Sequence, residues 1–339
     1  MPWEDVKSVF RPETAHMGVM TVDPEKCTRP RGSQCQLCFE NCPFRAWEIP
    51  GENEIPRQKE EYECFSCYNC MVACPRDAVS IVDVYHVDDG FWATEPHPLP
   101  AKMPLEPQDA EGNPDKWNAI EQAVFYRRSV RNYKDEPVPE PIIRRVLEAG
   151  RFAPSAGNCQ PWKFIVVTDR ALIEAMNEAI YSVMNTLYNV YKNDELVTNL
   201  VPTYEADPNP GLYDPRVILG GFGSIARRYG PVFLNAPAVI LIAADERAIS
   251  GTDINVGICG QNMNLVANSL GIRACWLGFS QVINMIPPLQ EKLGLKPPWK
   301  ISSALVLGYP KFKQDGLVPR EFRPITWFRE GSEVPEIEE

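Results

Sequence analysis

Histidine is scarce in this chain: His16, His86 and His97 are the only three among 339 residues. They stand far apart in the sequence, so they read as local hydrogen-bonders and make neither a metal set nor a triad. Positive charge is also short. Lys and Arg total 34 against 45 Asp and Glu, a net charge of −11, so no broad positive field exists to neutralise phosphates. Nucleic acid and membrane surfaces are therefore poor partners. Long apolar runs are missing too, since the longest, residues 238–244, falls far short of the ~20 residues a spanning helix needs. The chain opens with Glu4, Asp5 and Lys7 where an export signal would be apolar, which makes a cytoplasmic location the expectation.

What is present is enough to build real cores. Hydrophobic residues make up 44% and charged residues 23%, which excludes disorder along the whole length. The length suggests about two domains. Proline is abundant at 33 residues, and there are 11 cysteines, eight of them between Cys27 and Cys74. In a small secreted protein such density would mean disulfides. In a long chain without an export signal it points to metal.

Three zones follow. Residues 1–85 are cysteine-rich. Residues 86–116 hold Pro96, Pro98, Pro100, Pro104, Pro107 and Pro114 and read as an extended linker. Residues 117–339 carry regular patterns: helical spacing at Trp117, Ile120, Ala123 and Val124, and again at Ile142, Ile143, Val146 and Leu147 after Pro141. Strands are expected over 163–168, 238–244 and 301–307. Asp169 can cap a helix, and a long helix over 252–270 is closed by Gly271. Between 181 and 231 the periodicity is lost among scattered tyrosines, and this stretch reads as an insertion or lid. A sheet covered by helices, of α+β class, is the expected fold.

The first zone repeats itself. A shift of 32 residues lays Cys35, Cys38, Cys42, Pro43, Ala46 and Ile49 on Cys67, Cys70, Cys74, Pro75, Ala78 and Ile81. Such a duplicated unit is expected to be held together by metal rather than by a core. Cys64, Cys67, Cys70 and Cys74 before Pro75 spell C-x2-C-x2-C-x3-C-P, the bacterial [4Fe–4S] run. One tight loop supplies three thiolates to a cuboidal cluster, and a fourth arrives from elsewhere. Cys27, Cys35, Cys38 and Cys42 form the other copy, with five extra residues in the first gap. Paired zinc sites are the alternative, but zinc ribbons separate their cysteine pairs more widely. Residues 17–87 resemble a two-cluster bacterial ferredoxin. That resemblance implies one cluster on Cys27, Cys35, Cys38 and Cys74 and another on Cys64, Cys67, Cys70 and Cys42.

The third zone contains Arg127-Arg128-Ser129-Val130-Arg131 and, over 153–162, Ala-Pro-Ser-Ala-Gly-Asn-Cys-Gln-Pro-Trp. Together with Cys275-Trp276-Leu277-Gly278-Phe279 and Leu307-Gly308-Tyr309-Pro310, these segments resemble the nitroreductase family of FMN enzymes, in the family's order. The resemblance implies FMN bound by Arg127, Arg128, Ser129 and Arg131, by Pro154, Ser155, Ala156, Asn158 and Gln160, and by Leu277 and Gly278. A late basic residue, Arg320 or Arg323, is expected to join Arg127 at the phosphate, since charge-assisted donors suit a dianion. A homodimer is implied as well, with residues 154–158 at its seam.

Other strings carry less. Gly221-Phe222-Gly223-Ser224-Ile225-Ala226 spells G-x-G-x-x-A, but Gly230-Pro231 cuts short any helix it would open. Cys159, Cys259 and Cys275 read as small buried hydrophobes. The expected function is a converter: reduced ferredoxin or a similar low-potential donor, two [4Fe–4S] clusters, then FMN and a small conjugated or aromatic acceptor. The alternatives are an electron-transfer subunit without catalysis and an NAD(P)H-fed reductase with auxiliary clusters.

Overall fold

The computed structural model describes residues 15–60, 64, 66–84, 86–88, 106–193, 195, 221–248, 251–314, 316–318, 320 and 324–338. Its first part comprises β1 (Ala15–His16), β2 (Val19–Val22), α1 (Leu37–Asn41), β3 (Trp47–Glu48), β4 (Arg57–Gln58), α2 (Asn69–Ala73), β5 (Val79–Asp83) and β6 (His86–Val87). The sequence repeat is also a structural one. Both short helices end at a cysteine followed by proline, which cannot continue a helix. Cys42 adopts φ −78°, ψ 109° and Cys74 adopts φ −75°, ψ 111°. In each copy the cysteine Sγ accepts from the backbone N–H four residues on, Ala46 and Ala78, at 3.4 Å.

Two expectations need correction here. The unit has a core of its own, with Met20, Val22, Trp47, Met71, Val79 and Ile81 buried together. It is β2 and β5, paired antiparallel with Met20 opposite Ile81, that bring these apolar positions to one face. The unit also runs past residue 85, because β6 pairs with β1. Residues 89–105 of the expected linker lie outside the described residues, and Gln108 and Pro114 close a short turn beyond them.

The larger part contains α3 (Ala119–Tyr126), α4 (Glu140–Arg151), β7 (Trp162–Val167), α5 (Arg170–Tyr191), α6 (Gly223–Ala226), β8 (Ala238–Asp245), α7 (Thr252–Ser269), β9 (Arg273–Trp276), a 3-10 segment (Gly278–Met285), α8 (Pro287–Lys292), β10 (Trp299–Gly308), β11 (Ile325–Trp327) and β12 (Glu336–Glu338). Local signals start and stop these elements. Asn118 and Glu121 form a reciprocal capping box, Asp169 Oδ1 accepts from the Ala171 N–H at 2.9 Å, and Gly271 takes φ +79° just after α7.

The main sheet has the order β7-β8-β10-β9 and is antiparallel throughout. β8 is buried on both faces, which explains its unbroken apolar run. Val239, Leu241 and Ala243 pack with Met176, Ile180 and Met184 of α5. Ile240 and Ile242 pack with Val146 of α4 and Cys259 and Met263 of α7. The mixed helix and sheet architecture thus agrees with expectation.

The insertion over 181–231 does not begin where expected. α5 continues to Tyr191, because Met176, Ile180 and Met184 keep an i, i+4, i+8 stripe that the neighbouring polar residues obscured. Residues 196–220 lie outside the described residues. α3 forms as expected, but Ile120 and Val124 face outward, with Ile120 73% exposed.

Candidate active site

β9 ends at the sheet edge and hands the chain to Leu277 and then Gly278, which opens the 3-10 segment. The preceding Trp276 lies across α7, where a Cβ on Gly260 would strike its indole. This close approach holds the turn in place. Beside it opens a cavity of about 390 Å³ lined by Arg131, Cys275, Trp276, Leu277, Gly278 and Phe279, and by residues of the 221–234 stretch. Arg131, Leu277 and Gly278, separately expected to meet one ligand, therefore do share one cavity.

The arginine run lies just behind this wall. Burial pushes the Cys275 thiol up, while Arg131, a hydrogen bond with Ser129 and Arg127 pull it back. Arg127 is lowered by burial and then by the charge of Arg320. The two guanidiniums therefore lie near enough for one to feel the charge of the other. Arg323 lies outside the described residues. Arg128 is buried, and its Nη2 donates to the Gly316 carbonyl. It ties the late chain segment to the arginine run and does not line the cavity.

The loop carrying Pro154, Ser155, Ala156, Asn158 and Gln160 does not reach this cavity. Ser155 is half-buried and the other four are exposed. The loop is built for shape: Asn158 and Gln160 take φ +54° and +46°, and the Gln160 N–H donates to Ser155 Oγ at 3.0 Å. Cys159, expected to be buried, is exposed here.

Several cavity residues were not foreseen. Gly221, Ser224, Ile225 and Tyr229 come from the rejected glycine string and the turn after it, and Tyr181 Oη anchors that turn by donating to the Gly230 carbonyl at 2.5 Å. Pro43 and Phe44 come from the cysteine-rich unit. Their position follows from Asn41, which accepts from Asn132 and from Gln314. The only hint in the sequence was Pro43 directly after a candidate ligand.

The eight cysteines gather into two tetrads. Cys38 is surrounded by Cys35, Cys74 and Cys27, which also line a cavity of about 260 Å³. Cys70 is surrounded by Cys67, Cys42 and Cys64. Burial and the neighbouring thiols push Cys38 and Cys64 up to about 12 and Cys42 to about 11, so these thiols need a cation to ionise.

The extra residues between Cys27 and Cys35 also have a physical account. Arg29, 2% exposed, donates to the carbonyls of Glu54, Cys35, Gly51 and Glu52 at 2.7–3.1 Å. It pins the longer loop so that Cys27 joins its tetrad. The second tetrad is the one next to the cavity, because Cys67 and Cys42 both act on Arg131.

Comparison with known proteins adds a family. Residues 124–309 match the nitroreductase family profile. A protein of Archaeoglobus fulgidus, provisionally named an NADH dehydrogenase/NAD(P)H nitroreductase, is 29% identical over 196 residues, 57% of this chain and 86% of that protein. The nitrobenzene nitroreductase of Ectopseudomonas oleovorans is 27% identical over 208 residues, 56% of this chain and 86% of its own. Among solved structures, an FMN-bound nitroreductase from Bacteroides fragilis is 21% identical, covers 64% of this chain and 97% of its own, and aligns with a TM-score of 0.45.

Proposed function

The chain belongs to the nitroreductase family and is an oxidoreductase; on that premise, we propose that it is an iron–sulfur flavoenzyme. In this reading a low-potential donor such as reduced ferredoxin feeds two [4Fe–4S] clusters, and FMN then reduces a small conjugated or aromatic acceptor. Nitro, quinone, enone and halogenated compounds all suit such a site. When bound, the clusters supply one-electron transfer and FMN supplies two-electron chemistry.

The observation that carries the proposal is the contact between the two parts. Pro43 and Phe44, which directly follow Cys42, line the cavity together with Arg131 and Cys275, and Cys42 and Cys67 are near enough for their charge to act on Arg131. The residues divide the work. Arg127 and Arg320 would receive the FMN phosphate, and Arg131 would offset the charge that reduced flavin gains at its N1/O2 edge. The Leu277–Gly278 backbone lies where a planar ring could approach closely. Phe44, Tyr229 and Phe279 give the cavity aromatic walls that would bind a flat acceptor and exclude water.

A homodimer is part of the proposal. The 154–160 loop is exposed in the single chain, as are Ile120 on α3 and Ile254 on α7, two helices that touch. A two-fold partner would cover these faces, and its loop would complete the site.

The test uses the full chain. Cys67→Ser should abolish turnover with reduced ferredoxin while dithionite still reduces bound FMN. Undiminished ferredoxin-driven turnover in that variant would defeat the relay. A second reading, direct feeding by NAD(P)H, is favoured by the names of the relatives. Steady-state rates with NADH, NADPH and reduced ferredoxin, measured side by side, separate the two.

A further inference from the structure

Two of the three histidines, distant in sequence, meet in the fold. β1 and β6 pair antiparallel with His16 directly opposite His86, and opposed residues send their side chains to the same face. The rings stack with centroids 4.6 Å apart and 16° between planes. Asp88, two residues beyond His86, returns to that face. Its Oδ2 lies 2.7 Å from His16 Nε2 and its Oδ1 lies 3.6 Å from His86 Nε2.

The ring of His86 is oriented by its other nitrogen. Nδ1 lies 3.0 Å from the Val84 carbonyl, and a carbonyl can only accept. Nδ1 therefore donates to that carbonyl, and Nε2 is the nitrogen that faces Asp88. Proteins use the same device to orient metal-bound imidazoles.

We propose that His16, His86 and Asp88 bind one divalent cation of the zinc type, with water completing a tetrahedron. Imidazole and carboxylate ligands suit such borderline cations. Metal–ligand bonds of about 2.0–2.2 Å put ligand atoms roughly 3.3–3.6 Å apart; the two separations to Asp88 are 2.7 and 3.6 Å, and all three ligand atoms lie within 4.8 Å of one another. The side chains are 44%, 36% and 56% exposed, so a cation reaches them without unfolding. The site is separate from the cysteine tetrads. It joins β1 to the end of β6, and the bound ion acts there as a clip.

The test is equilibrium dialysis of the anaerobic, iron-loaded full chain against Zn²⁺, with zinc and iron both measured. One zinc per chain above the iron content is expected, with only nitrogen and oxygen neighbours in zinc-edge X-ray absorption. His16→Ala and Asp88→Asn should each weaken zinc binding at least about tenfold with iron content unchanged. Absence of the extra zinc, sulfur among its neighbours, or wild-type zinc affinity in both variants would overturn the proposal. If a variant loses its iron, the wild-type absorption spectrum decides alone: a nitrogen and oxygen shell supports the site, and sulfur refutes it.

Discussion

Asn132 Nδ2 donates to both the backbone carbonyl and the Oδ1 of Asn41, at 3.1 and 3.2 Å. Gln314 Nε2 donates to the same Oδ1 at 2.9 Å, and Asn41 Nδ2 passes its own hydrogen to the Asn69 carbonyl at 3.3 Å. Asn41 is fully buried and immediately precedes Cys42. One amide therefore joins the cysteine-rich unit to the larger domain at the point where the second tetrad meets the cavity. Asn41→Ala leaves buried donors unpaired and should cost about 1–3 kcal/mol, read as a lower urea midpoint.

The arginine run should divide by function. Arg127→Ala and Arg320→Ala should each weaken FMN retention by roughly tenfold to a hundredfold, the loss of a charge-assisted contact worth about 1.5–3 kcal/mol. Arg128→Ala should lower the melting temperature through its lost tie to Gly316 and leave FMN affinity closer to wild type. Flavin fluorescence titration of the three variants checks this. Equal FMN loss in all three would mean that the phosphate site is misassigned.

Phe44 provides a separate test of the shared cavity. Truncation to Ala removes an aromatic wall, and such contacts are worth about 0.5–1.5 kcal/mol. KM for aromatic acceptors should rise by roughly twofold to tenfold while iron and FMN contents stay constant. An unchanged KM would put the acceptor elsewhere.

Cys259, packed against Met263 on α7, is pushed up to about 12 by burial. The folded chain keeps this proton, whereas the unfolded chain releases it above pH 9. This contribution to stability is therefore whole below that pH and declines as the pH rises from 9 toward 12. Urea midpoints between pH 8.5 and 10.5 should fall less steeply in Cys259→Ala than in wild type. Parallel slopes would show that the thiol is not held protonated.

The proposed dimer predicts linked losses. Ile254→Glu places a charge on the exposed face of α7 and should shift sedimentation toward the monomer. FMN retention should fall with it, because the 154–160 loop would no longer complete a neighbouring site. A wild-type monomer that binds FMN fully would refute this arrangement.

The sequence by itself determined whatever depends on local chemistry or on period. The 32-residue shift announced a duplicated unit, and each copy in the fold ends a short helix in the same cysteine geometry because each ligand run carries its own proline. The apolar run of β8 announced a strand buried on both faces, and Asp169 and Gly271 marked helix ends. Only the tertiary structure decided which distant groups meet. Strand pairing set His86 against His16, and Asn41 carried Phe44 into a cavity built mostly by the other domain. Arg128, adjacent in sequence to Arg127, turned instead to Gly316. Neither spacing nor composition encodes such contacts, since burial and hydrogen bonding across chain-distant segments settle which face of each residue has a neighbour.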